Sequence, residues 1–406
     1  MVEKLQTRCV IAGGGPAGIM AGYLLARAGV PVVVLEKHRD FFRDFRGDTI
    51  HPSTLELMYE LGLLDELLQQ SHQKLRELRG IINGHAVPIA DFSRLPTRCK
   101  FIAFMPQWDF LTFLSSRAKR FPDFRLLMEH EVVDLIFEND RVIGVRARTP
   151  RGEVEVRADL VIGCDGRSSM VRNRGGFQVR EYGVAIDVLW MRIAKRADDP
   201  EQTFGFFRHG KLVVLIDRGD YWQCGYVIPK GDFNKVKTQG LSQFQDDLVA
   251  MADFLRDRVS ELDDWDKIKL LTVQINRLRD WCREGLLCIG DAAHAMSPAG
   301  GVGINLAIQD SVATANLLAE KLRRGPVSVA DLRKVQQRRE WPAVVIQYMQ
   351  VLVHKYIVTG RQTREGANLP LLPRLLKNFP ILRQIPARLV GIGPRPEHFQ
   401  SPNAIS

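Results

Sequence analysis

No apolar run in this chain approaches the length of a membrane-spanning helix, so a bundle of such helices is excluded. The apolar N-terminal region is interrupted by Gly13, Gly14, Gly15, Pro16 and Gly18 and lacks a small-residue cleavage site, so it does not read as a secretory leader. Six cysteines, at positions 9, 99, 164, 224, 282 and 288, form no Cys-x-x-Cys pair and have no histidine at metal-ligand spacing. That excludes a zinc site and a disulfide framework, and leaves reduced, mostly buried thiols, no metal and a cytoplasmic location as the expectation. There is no RNA-binding signature, no zinc-finger spacing and no basic run with interleaved aromatics. The formal charge of +10, from 57 Lys and Arg against 47 Asp and Glu, is spread along the chain, and no nucleic acid partner is expected. Internal repeats, low-complexity tracts and a defensible Ser-His-Asp arrangement are absent as well.

What remains is a globular composition, 45% hydrophobic and 26% charged over 406 residues, enough for about two domains. Residues 8–12 read as a short apolar strand, 16–28 as a helix and 32–35 as a second apolar strand, a βαβ unit. A helix is expected at about 52–61. Asn83-Gly84 between apolar residues predicts a tight hairpin within 81–89. Residues 126–162 alternate as an antiparallel insert that returns to a buried strand at 160–164, and 185–193, 211–216, 221–228 and 269–275 suggest a second sheet. An amphipathic helix is expected near 241–258, a strand at 286–289, and helices at about 304–322 and 329–355. The tail 369–390 is apolar and basic, and Pro373, Pro380 and Pro386 break it, so packing against the body is expected rather than membrane contact.

The fold class is therefore α/β: a Rossmann-like domain with a parallel sheet and an antiparallel insert, a mixed β-sheet substrate domain, and C-terminal helices. The expected boundaries are 1–70, 97–180 and 276–350 for a discontinuous cofactor-binding domain, 71–96 and 181–275 for the substrate sheet, and 351–406 for a helical tail.

Gly13-Gly14-Gly15-Pro16-Ala17-Gly18 follows a strand, opens a helix, and is succeeded by Glu36-Lys37 at the end of the next strand. Gly13 permits the tight turn, Gly15 lets backbone approach a pyrophosphate, Gly18 lets helix pack on strand, and the helix N-terminus holds the negative charge. Glu36 would accept hydrogen bonds from a ribose. This fingerprint alone does not separate NAD from FAD. A second glycine-rich stretch, Gly290-Asp291 through Pro298, Gly300, Gly301, Gly303, Ile304 and Asn305, leads into a helix and has no lysine for a phosphate.

With Cys164-Asp165-Gly166 after its own strand, and Gly290-Asp291 after another, the order of motifs resembles the flavoprotein monooxygenase family typified by para-hydroxybenzoate hydroxylase. The resemblance covers roughly the first 350 residues. It implies FAD as cofactor and NAD(P)H as a transient co-substrate. On that resemblance Glu36 binds the adenosine ribose, Arg46 approaches the flavin side of FAD, Gln107 contacts the ribityl chain and Asp291 holds the ribityl hydroxyls. Asp165 and Gly166 serve FAD and NAD(P)H, and the loop 298–303 lies against the isoalloxazine ring. The unpaired amides of the helix that follows could then face the flavin pyrimidine edge, where negative charge accumulates on reduction.

The implied reaction runs from NAD(P)H to FAD, then to a hydroperoxide at flavin C4a that transfers OH to an aromatic or polyketide-like substrate with O2 as oxidant. Pro298 is a candidate beside the reactive face, and His51 a candidate catalytic group. His294 reads as a structural side chain. The strand 221–228 is expected to line the substrate cavity on alternate residues. Its Cys224-Gly225-Tyr226-Val227-Ile228-Pro229 is faintly similar to the Trp-x-Trp-x-Ile-Pro of flavin-dependent halogenases, with both tryptophans replaced. A halogenase, a geranylgeranyl-reductase-like flavoenzyme and a non-catalytic binder of lipidated partners on the same scaffold are the alternatives. A monomer or homodimer is expected.

Overall fold

The continuous apolar strand Glu3–Ala12 lies at the middle of an eight-stranded sheet in the computed structural model, which describes residues 3–42, 49–200, 204–208, 210–359 and 369–403. Its parallel neighbours are Val32–Glu36 on one side and Gly152–Gly163 on the other, with Phe124–Met128 and Leu286–Cys288 parallel beyond them. All five residues of Val32–Glu36 are buried, as befits a parallel sheet covered on both faces. The chain leaves Glu3–Ala12 between strands that run on in opposite lateral directions, the place where open α/β sheets bind ligands.

The strand returning from the antiparallel insert is longer than its sequence suggests. Gly152–Gly163 is one twelve-residue strand whose first half pairs antiparallel with Arg141–Thr149, and whose residues 154–163 pair parallel with Glu3–Ala12. Asn139 and Asp140 both have positive φ, 46° and 64°, and Asn83-Gly84 has 50° and 81°, so both hairpins close with the twist-matched turn that Asn and Gly favour. The latter joins Glu77–Ile82 to His85–Asp91.

That hairpin forms one edge of a seven-stranded sheet in the order Lys269–Leu271, Ile186–Ala194, Tyr221–Pro229, Lys211–Asp217, Phe204–Arg208, Glu77–Ile82, His85–Asp91. One face buries Met191, Leu215, Trp222, Cys224 and Tyr226 against Phe244 and Leu248 of the helix Leu241–Met251. The expected helix at 241–258 stops at Met251 and continues as short 3-10 turns. The expected strand at 269–275 is two: Lys269–Leu271 in this sheet and Ile275–Leu278 in a separate ribbon with Val179–Tyr182.

The helix Gly303–Arg324 packs against the first helix, Pro16–Arg27, and the long helix Val329–Thr359 packs on it in turn. In the tail, only Pro380 separates elements: Leu371–Asn378 and Gln384–Gly391 are both helices, with Pro373 and Pro386 in their first turns. A first-turn proline lacks only an N–H that would have had no partner in the helix. Both tail helices pack against His85–Asp91. All six cysteines are free and buried. Among the described residues no helix is long and apolar enough to cross a membrane.

Candidate active site

Four glycines at the end of the first strand do different work. A Cβ on Gly13 would lie 2.5 Å from the carbonyl oxygen of Cys164, one on Gly14 2.9 Å from Cβ of Glu36, and one on Gly18 1.9 Å from the carbonyl oxygen of Gly13. These three are required by the protein's own packing. Gly15 is not: a Cβ there would meet nothing within 4 Å. It caps the first helix in extended backbone, with no side chain capping the amides behind it and Pro16 in the first turn. An uncapped helix N-terminus opening onto free space, at the switch point of the sheet, fits the pyrophosphate of a dinucleotide. Ala17 is buried in that helix, and its carbonyl accepts from Ser311 Oγ at 2.8 Å, which ties the helix to Gly303–Arg324.

Glu36 is buried beneath this turn. Its Oε2 accepts from the Gly14 N–H at 2.9 Å and its Oε1 from the His38 N–H at 3.0 Å, so the carboxylate holds the glycine turn in shape. Lys37 beside it is exposed. Gln107 is the first residue of the helix Gln107–Ala118, an element the sequence did not announce, and is half-buried there. Arg46 lies outside the described residues.

Asp165 is engaged with its own turn. Its carboxylate accepts from Ser169 Oγ and, at 3.0 Å, from the Val171 N–H, holding the start of the short helix Met170–Arg174. Burial pushes its pKa up against those bonds. Gly166, with φ 84° and open space where a Cβ would be, then swings the chain so that Arg167 reaches Asp291 at 3.6 Å. Nε and Nη1 of Arg167 are buried without a partner. Buried donors without acceptors are rare. Arg167 was missed from the sequence; the signal was a cation immediately after the Asp-Gly turn.

The stretch from Gly290 to Asp310 folds back on itself. Asp310 Oδ2 accepts from the Gly290 N–H at 3.0 Å and from His294 Nε2 at 2.6 Å, and its Oδ1 accepts from Arg339 Nε at 3.0 Å. Burial opposes ionisation of this carboxyl, yet the charge and hydrogen bonds of His294 and Arg339 outweigh it and hold its pKa below the ordinary value. His294 is thus the structural side chain expected. Gly290 and the buried half of the motif are fixed, while Asp291 is half-buried with its carboxylate toward Arg167.

Beyond it, Pro298, Gly301, Gly303 and Ile304 are half-buried and Gly300 is exposed, with φ of 80° and 62° at the two turn glycines. A Cβ on Gly301 would fall 2.1 Å from Thr49 Oγ1, which itself donates to the Gly301 carbonyl at 2.9 Å. The helix Gly303–Arg324 starts with no side-chain cap. The side chain of Asn305 is fully engaged with protein: it accepts from the His51 N–H and Thr54 Oγ1 and donates to the carbonyls of Thr49 and Gly301. From the long helix, Gln350 Nε2 donates to the carbonyls of Ser297 and Ala299, and its Oε1 accepts from the Ser297 N–H. Loop 297–301 is therefore held from both ends.

His51 has no exposed surface. Its Nδ1–H donates to the Val390 carbonyl at 2.7 Å, its Nε2 is buried without a partner, and burial lowers its pKa to about 4. The catalytic role anticipated from the sequence has no geometry to support it, because a sealed neutral imidazole has no route for exchanging protons with a ligand. It ties the tail to the helix Pro52–Glu60. On the strand Tyr221–Pro229 the register puts Trp222, Cys224 and Tyr226 into the core beneath the helix Leu241–Met251. The two positions that differ from the halogenase pattern thus lie in that core, and Gln223, Gly225 and Val227 take the other face.

The family model described as FAD binding domain matches residues 6–345. The chain is 32% identical over 392 residues to a 6-methylpretetramide 4-monooxygenase of Streptomyces rimosus, across 95% of this chain and 93% of that one. It is 28% identical over 317 residues to a rifampicin monooxygenase of Streptomyces venezuelae, covering 74% of this chain but only 62% of that longer relative. In fold it is similar to the solved OxyS anhydrotetracycline hydroxylase from Streptomyces rimosus, with a TM-score of 0.76 at 24% identity over 95% of this chain and 76% of that one.

Proposed function

This chain belongs to the FAD-binding family of flavoprotein monooxygenases, and from that premise we propose that it hydroxylates a polycyclic aromatic, polyketide-type molecule with NAD(P)H and O2. The single observation that carries the site is the pair of helix starts without side-chain caps, at Pro16 and at Gly303, the first preceded by the open glycine Gly15 and the second by the turn Gly300-Gly301.

Bound FAD supplies the redox chemistry, accepting reducing equivalents from NAD(P)H and activating dioxygen for insertion of one oxygen atom into the substrate. The protein's own part is binding, orientation and exclusion of water. The Gly15 turn receives the pyrophosphate on backbone amides, with Pro16, Ala17 and Gly18 in the helix behind it, and Glu36 keeps that turn in shape. Asp291 offers the ribityl hydroxyls a carboxylate, and Gln107 lies on the helix proposed to flank the same chain. The amides from Val302 to Asn305, at the positive end of a long helix, favour a ring that gains electron density. Pro298 stiffens the loop at the reactive face and moves no proton. Asn305, Gln350 and Asp310 act by position: they keep the loop from relaxing when charge develops beside it.

The substrate assignment draws support from what the relatives' names say they act on, and from the apolar face that the seven-stranded sheet keeps free of its own core. The test is turnover with isotopically labelled dioxygen across phenols, anthracene-type and naphthacene-type polyphenols. The expected result is a polycyclic compound that stimulates NAD(P)H oxidation and carries one labelled oxygen atom in its product. Equal product formation without oxygen would overturn it.

A further inference from the structure

Ten of the fourteen large apolar side chains that stand exposed among the described residues lie between Trp341 and Ile385, a short part of the chain. Single exposed apolar residues need no explanation, but a concentration of this kind does. It has two parts.

The first is the long helix Val329–Thr359, which is apolar on the side where a surface helix is ordinarily polar. Helical spacing puts Trp341, Val345, Tyr348, Met349, Leu352 and Val353 on one side; Val345 is half-buried and the others are exposed. The opposite side buries Ala343, Ile346, Gln347, Gln350 and His354, and its three polar side chains bond Ala295, Ser297 and Ala299. The polar groups of this helix point inward and its apolar ones outward.

The second part is the tail. Leu371–Asn378 and Gln384–Gly391 bury Pro373, Ala387 and Gly391 on the body. On Leu371–Asn378 the leucines at 371, 372, 375 and 376 share one arc, with Arg374, Lys377 and Asn378 on the other. Leu371, Leu372, Ile381 and Ile385 are between 61% and 74% exposed, so packing on the body accounts for one side of the tail only. Leu389 and Val390 pack against the cluster that contains Ala343 and Ile346, which sets the tail beside the long helix.

Charge decides what covers these surfaces. From Trp341 to Gly391, the end of the last helix, the sequence has seven Lys and Arg and a single acid, Glu365, although the whole chain has 57 against 47. Arg374, Lys377 and Arg388 are exposed among the apolar residues, whereas Arg383 donates to the carbonyls of Leu376 and Lys377. A two-fold contact with a second copy would set this cationic surface against itself without acids to pair. An anionic lipid surface meets both demands: its acyl boundary takes up the leucines and isoleucines, and its phosphates take the cations.

We propose that the tail helices, with the outer side of the long helix beside them, dock on the surface of an anionic phospholipid bilayer. They lie in the head-group layer and do not cross it, since no described helix is long and apolar enough to do so. Leu371, Leu372, Ile381 and Ile385 enter the acyl boundary, while Arg374, Lys377 and Arg388 extend their charged ends to the phosphates. Nothing in this docking depends on the flavin reading.

The test is sedimentation of the full chain with vesicles of phosphatidylcholine alone, or of an equimolar mixture with phosphatidylglycerol, with flavin loading followed separately by visible absorbance. The expected result is partition to the anionic vesicles that is tighter by roughly tenfold or more and weakens as salt is raised. Leu372→Ser with Ile385→Ser should melt like the parent, because both side chains are exposed, and should lower that partition roughly tenfold or more. Arg374→Gln with Lys377→Gln should also melt like the parent and lose most of the preference for anionic vesicles. Failure to sediment with either vesicle, equal sedimentation with both, or an unchanged preference in the arginine and lysine variant would each overturn the proposal. So would a concentration-dependent dimer that Leu372→Ser with Ile385→Ser dissociates, which would assign the surface to a second copy.

Discussion

Asp310 accepts a hydrogen bond from the backbone N–H of Gly290 at 3.0 Å, so the residue that ends the second glycine-rich stretch fixes the residue that begins it. The same carboxylate holds His294 and Arg339, and Arg339 Nη1 reaches the carbonyl of Arg395 and Glu397 Oε1 near the C-terminus. One buried charge thereby couples the Gly290-Asp291 turn, the long helix and the tail.

Asp310→Asn keeps the shape and removes the charge that pairs with two buried cation-forming groups. Loss of one member of such a network costs roughly 3 kcal/mol or more. A melting curve should show a large fall in stability. Because the Gly290 turn loosens, FAD affinity, read by recovery of free flavin fluorescence, should fall with it. A variant as stable as the parent protein would contradict the coupling.

Asn305→Ala removes four hydrogen bonds at once and leaves buried partners on the backbone of Thr49, His51 and Gly301. Each unsatisfied buried group costs about 1–3 kcal/mol. The expected outcome is a destabilised protein whose bound flavin, when present, is more exposed to a soluble quencher. Unchanged quenching would show that the clasp does not shape the loop.

His51 makes stability pH-dependent in a stated window. Its pKa is about 4 in the folded protein against an ordinary 6.5, so the unfolded chain takes up a proton that the folded one refuses. The stabilisation is complete above pH 6.5 and is lost as pH falls toward 4, by about 3 kcal/mol from this group. His354, buried and likewise lowered to about 4, acts in the same direction. His51→Gln should reduce the slope of unfolding free energy against pH in that interval by roughly one proton. An unaltered slope would place the imidazole in solvent.

Gly301→Ala should be far worse than its size suggests. The backbone has φ 62°, and the new methyl would collide with Thr49 Oγ1 at 2.1 Å. The left-handed conformation alone costs about 1–2 kcal/mol for alanine. Melting temperature should drop, and Thr49→Ser, which keeps the hydroxyl that the methyl meets, should not restore it.

The sequence made the glycine fingerprint, the motif order and most strands legible, because apolar runs bounded by turn residues and glycines with a steric duty are local signals. Gly152–Gly163 was harder: its first half alternates like an exposed antiparallel strand and its second is continuously apolar, so one strand reads as two. Asp165 was legible only as a motif: its bonds to Ser169 and Val171 are set by a turn that no spacing reveals. His51 shows the same limit, since the Val390 carbonyl that receives it lies 339 residues away. Asn305, Gln350 and Asp310 are polar residues on otherwise apolar helix faces; which backbone groups they reach depends on tertiary register.

The most direct measurement is equilibrium titration of flavin-free protein with FAD, for the parent chain and for Gly15→Val. Gly15 has extended backbone and open space around its missing Cβ, so the variant should melt like the parent. Its FAD Kd should nevertheless rise by roughly a hundredfold, about 2.7 kcal/mol, because the side chain would occupy the room kept for the pyrophosphate. An equally stable Gly15→Val that binds FAD as tightly as the parent would show that the cofactor does not lie on this helix start.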